Sequence, residues 1–311
     1  MTLTELKYIV AVARERHFGR AAETCFVSQP TLSVAVRKLE EELGVTLFER
    51  NANEVSLTPI GEQVVAQAQS VLEEAEGVKR VASQNKDQLA GPLRLGAIYT
   101  IGPYLMPGLL PILRELAPQM PLLFQENYTR RLADLLKRGE LDLAILSLPF
   151  AESGLATQAV YDEPFRVVLP ANHGWLKQKN IPAEQIGEAD VLLLTSGNCF
   201  RDQVLQACPS LNRGSNNIQK TLEGSSLETI RYMVASGVGI TVLPATAADL
   251  IPAHNSLLEV RPFSQPEPIR RVALAWRKSF PRPLAVEAVR QAIMAADLPG
   301  VAKLFQEPVV V

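Results

Sequence analysis

At 311 residues, 47% hydrophobic and 21% charged, the chain has the make-up of a globular protein of two or three domains. Its formal net charge of −2 excludes bulk attraction to polyanions, so any nucleic-acid contact has to come from a local arrangement. No apolar run approaches the roughly 18 residues of a membrane span. The opening MTLTELKYIVAVARER lacks the small-residue cleavage site of a signal peptide, and three cysteines make no disulfide scaffold, so the expected setting is a reducing cytoplasm.

In chain order, the first segment reads as a helix with Leu3, Leu6, Ile9, Val10 and Ala13 on one face. FGRAAETC reads as a second helix, in which Ala21 and Ala22 are small enough to let another helix cross closely. After the turn FVSQ, Ser28 is a good N-cap for a third helix, and Pro30 falls in its first turn, where the missing N–H is harmless. Leu32, Val36, Leu39 and Leu43 form its buried stripe, Gln29, Ser33 and Arg37 lie on the other face, and Gly44 ends it. This is a helix-turn-helix whose second helix can present Gln29, Pro30 and Thr31 to base edges in a major groove. The same pattern suits any small helical subdomain with a solvated outer face. Charge does not separate the two, because residues 1–60 carry seven Lys/Arg against eight Asp/Glu.

Thr58-Pro59 is a fresh N-cap and first-turn pair, opening a long proline-free stretch. Val64, Ala68, Val71, Ala75, Val78 and Ala82 step by four and three alternately, which is a heptad seam. A helix lying on its own globule gives such a stripe, but small residues flanked by Glu, Gln, Lys and Arg fit a dimer contact better. The polar stretch from Asn85 to Gly91, followed by Pro92, marks a domain boundary.

From Leu93, the apolar runs LRLGAI, LLFQEN, DLAILSL, FRVVLP, DVLLLTS, GITVLP and RVALAWR alternate with helical stretches at 103–117, 129–138, 199–208, 226–236 and 283–296. Such alternation predicts an α/β fold with largely parallel sheets. No glycine-rich nucleotide motif and no G-x-S-x-G are present. His17, His173 and His254 lie far apart and near no cysteine cluster, so neither a metal nor a cofactor is expected. Thr100 and Thr129 each follow a strand just before a helix, where a hydroxyl and free N–H groups can hold a small polar ligand. Plain N-capping explains each of them equally well.

Two of the three cysteines fall in SGNCFRDQVLQACPS. If the segment between them is helical, nine steps put the Cα atoms of Cys199 and Cys208 roughly 13 Å apart and on opposite sides. A disulfide needs Cα atoms within about 7 Å. Either the two thiols never meet, or their meeting unfolds the segment. Asn198 is placed to cap that helix, which puts Cys199 in its first turn near Arg201 and Asp202, a setting that favours thiolate. Two inert core thiols fit the residues as well. Cys25, in the helix-turn-helix, reads as a small core residue.

AAETCFVSQPTLSVAVRKLEEELGVTLFER strongly resembles the DNA-binding region of LysR-type transcriptional regulators, through its paired alanines, Ser-Gln-Pro, Leu-Glu-x-x-Leu-Gly and Leu-Phe-x-Arg. The resemblance makes Arg50 and NANEVSL a wing whose tip touches phosphate, and Gln29, Pro30, Thr31, Ser33, Arg37 and Arg50 the contacts to double-stranded DNA. It implies three parts: a winged helix-turn-helix over 1–58, a linker helix over 59–90, and a two-lobed regulatory domain over 91–311 with a periplasmic-binding-protein-like fold. Lobe I takes about 91–161 plus 268–311, and lobe II about 162–267.

LTSGNCFRDQVLQAC, YTIGPYL, ENYTRRL and GSSLETIRYMVASGVGITVLPA look closer still to the peroxide-sensing members of that family. That similarity implies Cys199 as peroxidatic and Cys208 as resolving cysteine, with Thr100, Thr129 and Asp202 around hydrogen peroxide. It further implies a dimer of dimers and a thiol reductant for reset. Many relatives carry His where this chain has Asn198, a departure that leaves both sulfurs in place. Two other readings keep the same residues: a regulator with an organic effector between its lobes, and a thiol peroxidase with an incidental helical domain.

Overall fold

A computed structural model describes residues 1–50, 55–82, 88–212, 221–252 and 256–305. The chain forms two units, the first being Met1–Asp87 with the short segments Lys137–Glu140 and Lys278–Pro281. Side-chain caps open its helices. Thr2 and Glu5 form a reciprocal capping box at the start of α1 (Leu3–Glu15). His17 Nδ1 accepts from the Gly19 and Arg20 N–H groups to start α2 (Phe18–Thr24). Ser28 Oγ accepts from the Thr31 N–H to start α3 (Gln29–Leu43), which Gly44 ends at φ 68°.

Leu32, Val36 and Leu39 are fully buried against Leu6, Ile9 and Val12 of α1 and the paired alanines of α2. The expected stripes shift at their ends. Leu43 and Leu3 are exposed, while Leu47, beyond the turn, and Val12 are buried instead. Cys25 is half-buried at the edge of this core, and burial pushes its thiol pKa up. The antiparallel strands β1 (Phe48–Arg50) and β2 (Val55–Leu57) form the sides of the wing. Its tip, residues 51–54, and the side chain of Arg50 lie outside the described residues, as does part of the 85–91 boundary.

Thr58 Oγ1 donates to the Thr46 carbonyl and accepts from the Gly61 N–H, starting α4 (Pro59–Ala82). The first half of α4 runs along α1. Ala68 is buried in the first unit's own core, with Val64, Val71 and Leu72 packed against it. This corrects the heptad reading: the N-terminal half of the seam serves its own unit, because α1 offers it an apolar face. Of the remainder, Ala75 is half-buried, Val78 is 70% exposed, and the side chain of Ala82 lies outside the described residues.

The second unit continues with β3 (Leu93–Ile98), α5 (Gly102–Leu116), β4 (Leu122–Asn127), α6 (Thr129–Lys137), β5 (Leu143–Leu148) and β6 (Leu155–Pro170). There follow β7 (Val191–Leu194), α7 (Cys199–Ala207), β8 (Thr221–Gly224), α8 (Leu227–Ala235), β9 (Ile240–Pro244) and α9 (Ala245–Ala248). The chain closes with β10 (Leu258–Pro262), β11 (Ile269–Arg277), α10 (Pro283–Ala295) and β12 (Ala302–Lys303). One sheet has the order β4-β3-β5-β11-β6 and the other β6-β9-β7-β8, so β6 belongs to both. It pairs with β11 as far as Pro164, and from Phe165 onward with β9 and β10.

The sheets are mixed rather than largely parallel. β3 runs parallel to β4 and β5, and β7 to β8 and β9, but β6 and β11 are antiparallel to their neighbours. His173 caps a short helical turn at Gly174–Lys177, and His254 lies outside the described residues. Among the described residues, no helix is long and apolar enough to cross a membrane.

Gly61 lets the first turn of α4 pass close to the chain entering β1: a Cβ built there meets the Leu47 carbonyl oxygen at 2.1 Å. In an open helix, Gly→Ala stabilises by about 1 kcal/mol. Here Gly61→Ala is expected to destabilise the first unit by about 1–3 kcal/mol, because the obstacle is backbone. Thermal unfolding checks this, and an unchanged or higher midpoint would mean that α4 moves freely off Leu47.

Candidate functional site

Ile98 and Asn127 end the paired strands β3 and β4 side by side, so Tyr99-Thr100 and Tyr128-Thr129 leave the sheet together. This is the carboxyl end of parallel strands, where open α/β sheets bind ligands. The rings of Tyr99 and Tyr128 meet edge to face, with centroids 5.3 Å apart. From the other sheet, β7 leads through Gly197, at φ 92°, to Asn198, Cys199 and Phe200. These residues enclose a cavity with about 10 Å³ open to the centre of a water-sized molecule. A single water needs about 10–15 Å³ by that measure, and organic ligands occupy pockets of about 300–1,000 Å³. The cavity as it stands admits a molecule of about water size and is far too small for an organic effector.

Neither threonine is a simple helix cap. Thr100 is almost fully buried; its Oγ1 accepts from Arg270 Nη1 at 2.8 Å and its carbonyl from Nη2 at 2.9 Å. The hydroxyl proton of Thr100 is therefore left to donate elsewhere. Thr129 Oγ1 is buried with no hydrogen-bond partner among the described residues. Such an orphan costs about 1–3 kcal/mol unless a ligand or water satisfies it. Asn198 occupies the N-cap position of α7, but its side chain makes no cap bond and turns inward, donating Nδ2 to the Thr195 carbonyl at 3.0 Å. That corrects the expected cap. Asp202 is exposed on α7 and does not line the cavity, so the structure does not bring it to the threonines.

Arg270 is the central residue that sequence reasoning missed. Its side chain is fully buried and paired with Glu163, with Nε to Oε2 at 2.7 Å. The other Glu163 oxygen accepts from the N–H and hydroxyl of Thr246, at 2.8 and 2.5 Å. The guanidinium carbon also lies 5.2 Å from the ring centroid of Phe200, the neighbour of Cys199. One side chain thus fixes a threonine of one sheet against the thiol-bearing segment of the other. The partners are 107 residues apart in sequence, so no periodicity exposes the pair. The only signal is the Arg270-Arg271 pair that opens the apolar run of β11.

The two thiols have different surroundings. Cys199 is half-buried in the first turn of α7 and faces the cavity. Cys208, at the C-cap, is fully buried in the core around Phe200 and Val204. Burial, helped by the charge of Glu184, pushes its pKa up to about 12. Both are free thiols. The helical rise between them keeps their Cα atoms roughly 13 Å apart.

On the first unit, Gln29, Pro30, Thr31 and Arg37 are exposed along the N-terminal part and outer face of α3, and Ser33 is half-buried. Together they form the candidate DNA-reading face.

Two family models match the chain: the bacterial regulatory helix-turn-helix protein, lysR family, over residues 3–62, and the LysR substrate binding domain over residues 86–297. The DNA-binding transcriptional dual regulator OxyR of Escherichia coli K12 is 38% identical over 295 residues, covering 95% of each chain. A hydrogen peroxide-inducible genes activator of Haemophilus influenzae is 35% identical, covering 94% of this chain and 96% of that one. Among solved structures, a cysteine-to-aspartate variant of full-length OxyR from Pseudomonas aeruginosa matches with a TM-score of 0.83 and 53% identity over 99% of both chains. A hydrogen peroxide-bound cysteine-to-serine variant of OxyR from Corynebacterium glutamicum matches with a TM-score of 0.62 and 33% identity, covering 94% of this chain and 91% of that one.

The raised pKa of Cys208 has a signed consequence. The folded protein holds this proton more tightly than the unfolded chain, whose thiol titrates near about 8.5. The stability gained is complete below that pH and is lost as pH rises toward about 12. Relative to Cys208→Ser, the parent is expected to lose up to about 1.4 kcal/mol per pH unit above pH 8.5. Denaturant unfolding of both proteins between pH 7 and 10.5 checks this; parallel curves would place Cys208 in a more polar setting.

Proposed function

The chain belongs to the LysR family of bacterial regulators, and on that footing we propose that it is a DNA-binding transcription regulator that senses hydrogen peroxide through a Cys199–Cys208 thiol/disulfide switch. One observation carries the reading: a half-buried cysteine at a helix start faces a very small polar cavity, lined by a threonine whose hydroxyl has no partner among the described residues. Thr129 and Thr100 hold the peroxide by hydrogen bonds. The Cys199 thiolate attacks one peroxide oxygen, the O–O bond breaks, and the other oxygen leaves as water once protonated. The product is a sulfenic acid. Cys208 then attacks that sulfur and displaces a second water, leaving a disulfide, which a thiol reductant returns to two thiols.

The second step cannot happen across an intact α7. The helix must unravel, and Cys208 must leave the core. Gln203 of α7 donates Nε2 to Ser147 Oγ at 2.8 Å and to the Leu148 carbonyl at 3.2 Å, so unravelling also breaks a link to β5 of the other sheet. That segment is the bistable element, and its change of shape alters how regulatory units pair and how the DNA-reading heads are spaced. The assembly is a homo-oligomer, a dimer of dimers, with the exposed Val78 on α4 the part of the seam open to a second chain. The stepwise thiol chemistry resembles an enzyme's, but its output is altered DNA binding, and the protein works in the cytoplasm. The cavity's size disfavours an organic effector at this site.

Mass spectrometry of thiols after brief peroxide exposure tests the chemistry. Cys208→Ser is expected to lose its Cys199 thiol but stop at sulfenic acid or over-oxidised forms, and Cys199→Ser to lose the fast reaction altogether. Equal, slow oxidation of both cysteines in the parent would refute the site. Arg37→Ala, on a duplex selected by the parent from a random-sequence pool, is expected to cost about 1–3 kcal/mol of binding with the fold intact. Unchanged affinity at matched salt would show that the face of α3 was assigned wrongly.

A further inference from the structure

The turn that feeds α3 ends α2 with a complete Schellman arrangement. Cys25 is the C-cap, the Phe26 N–H donates to the Glu23 carbonyl at 3.0 Å, and the Val27 N–H donates to the Ala22 carbonyl at 3.0 Å. The residue after the cap in this motif takes the left-handed conformation, and it is usually glycine because a Cβ is strained there. In this chain it is Phe26, at φ 56°. The motif's apolar contact comes from the next residue, Val27, which packs against the core. The Phe26 ring does none of this work, since the residue is 95% exposed.

Folding alone therefore favours glycine or asparagine at this position, and a bulky left-handed residue is a true outlier. Two costs coincide in one side chain: backbone strain and a large apolar ring held in water. Strain of this kind persists where a site requires it. Phe26 lies two residues before the N-cap of α3, and the exposed face of that helix continues with Pro30, the 68%-exposed Val34, and Arg37. A helix-turn-helix brings this end of its second helix to the DNA.

We propose that Phe26 is a DNA-binding residue, its ring packing on an apolar group of the duplex, either a thymine methyl in the major groove or a deoxyribose at its edge. Both offer carbon surface beside the path of α3, and both leave the phosphates to charged and polar side chains. The inference rests on the DNA-facing assignment of α3, which Arg37→Ala tests separately. If Arg37→Ala binds like the parent, that assignment fails; if it weakens binding but Phe26 variants do not, only the present inference fails.

The experiment compares the full-length parent with Phe26→Gly and Phe26→Asn on the duplex selected by the parent from a random-sequence pool. Both variants suit the left-handed backbone, so their melting temperatures are expected to match or exceed the parent's. Both are expected to bind about tenfold more weakly, as loss of a largely buried aromatic contact would give. The slope of log affinity against log salt should stay the same, because the ring releases no counterions. Replacing thymines by deoxyuridine separates the two sources: a methyl contact weakens the parent and not Phe26→Gly, whereas a sugar contact leaves both unchanged. Affinity within twofold of the parent for both variants overturns the proposal. A lower melting temperature, or a change in oligomeric state by sedimentation, also overturns it by assigning the ring to the fold or to a second copy of the chain.

Discussion

A helix and a disulfide cannot share residues 199–208. Helical rise separates the two Cα atoms by roughly 13 Å, and a disulfide tolerates about 7 Å. With both thiols free, the segment is helical, Phe200 and Val204 fill the second sheet's core, and Cys208 seals its end. A bond between the two thiols would require that helix to open, so Phe200, Val204 and Cys208 could not all keep these positions. On the proposed mechanism the covalent step therefore selects between two packings of one segment. This is how a sub-nanometre chemical event gains a structural output: a close-packed core has discrete arrangements rather than a continuum.

On the proposed mechanism peroxide has to reach one sulfur and not the other, and the buried Glu163–Arg270 pair sets the geometry for that. A buried ion pair is a poor source of net stability, because desolvation offsets most of the attraction. Its value here is positional. Arg270 spends its donors on Glu163 and on two oxygens of Thr100 while lying over Phe200, so the walls of the cavity are held by one rigid fork. Cys208 is shielded by the same packing that places it. Its thiol is pushed far above neutral pH, so it waits as a thiol until the helix opens.

Much of this was legible in the sequence, for reasons that differ from residue to residue. Ser28, Pro30 and Gly44 announce α3 because caps are local chemistry, and the two threonines are findable because each follows an apolar run and precedes a helix. The cysteine spacing poses its own geometric problem without any structure. Three readings failed because the folded chain, not the local spacing, decides them. Val64, Ala68 and Val71 keep a heptad step, but α1 claims them. Asn198 stands at a cap position, yet its side chain donates to the Thr195 carbonyl and accepts nothing from the first turn of α7. Asp202 is close to Cys199 in sequence and exposed in space. Arg270 was invisible for the same reason in reverse, since its partner is 107 residues away.

The most direct measurement is amide hydrogen exchange across Phe200–Ala207 in the full-length protein, before and after stoichiometric peroxide, with peptide mapping of the disulfide in the same samples. The account expects strong protection in the reduced protein. In the oxidised protein it expects a mapped Cys199–Cys208 bond, with protection lost across the segment. A mapped disulfide with protection unchanged would contradict it, because the segment would then be accommodating the bond without giving up its helix.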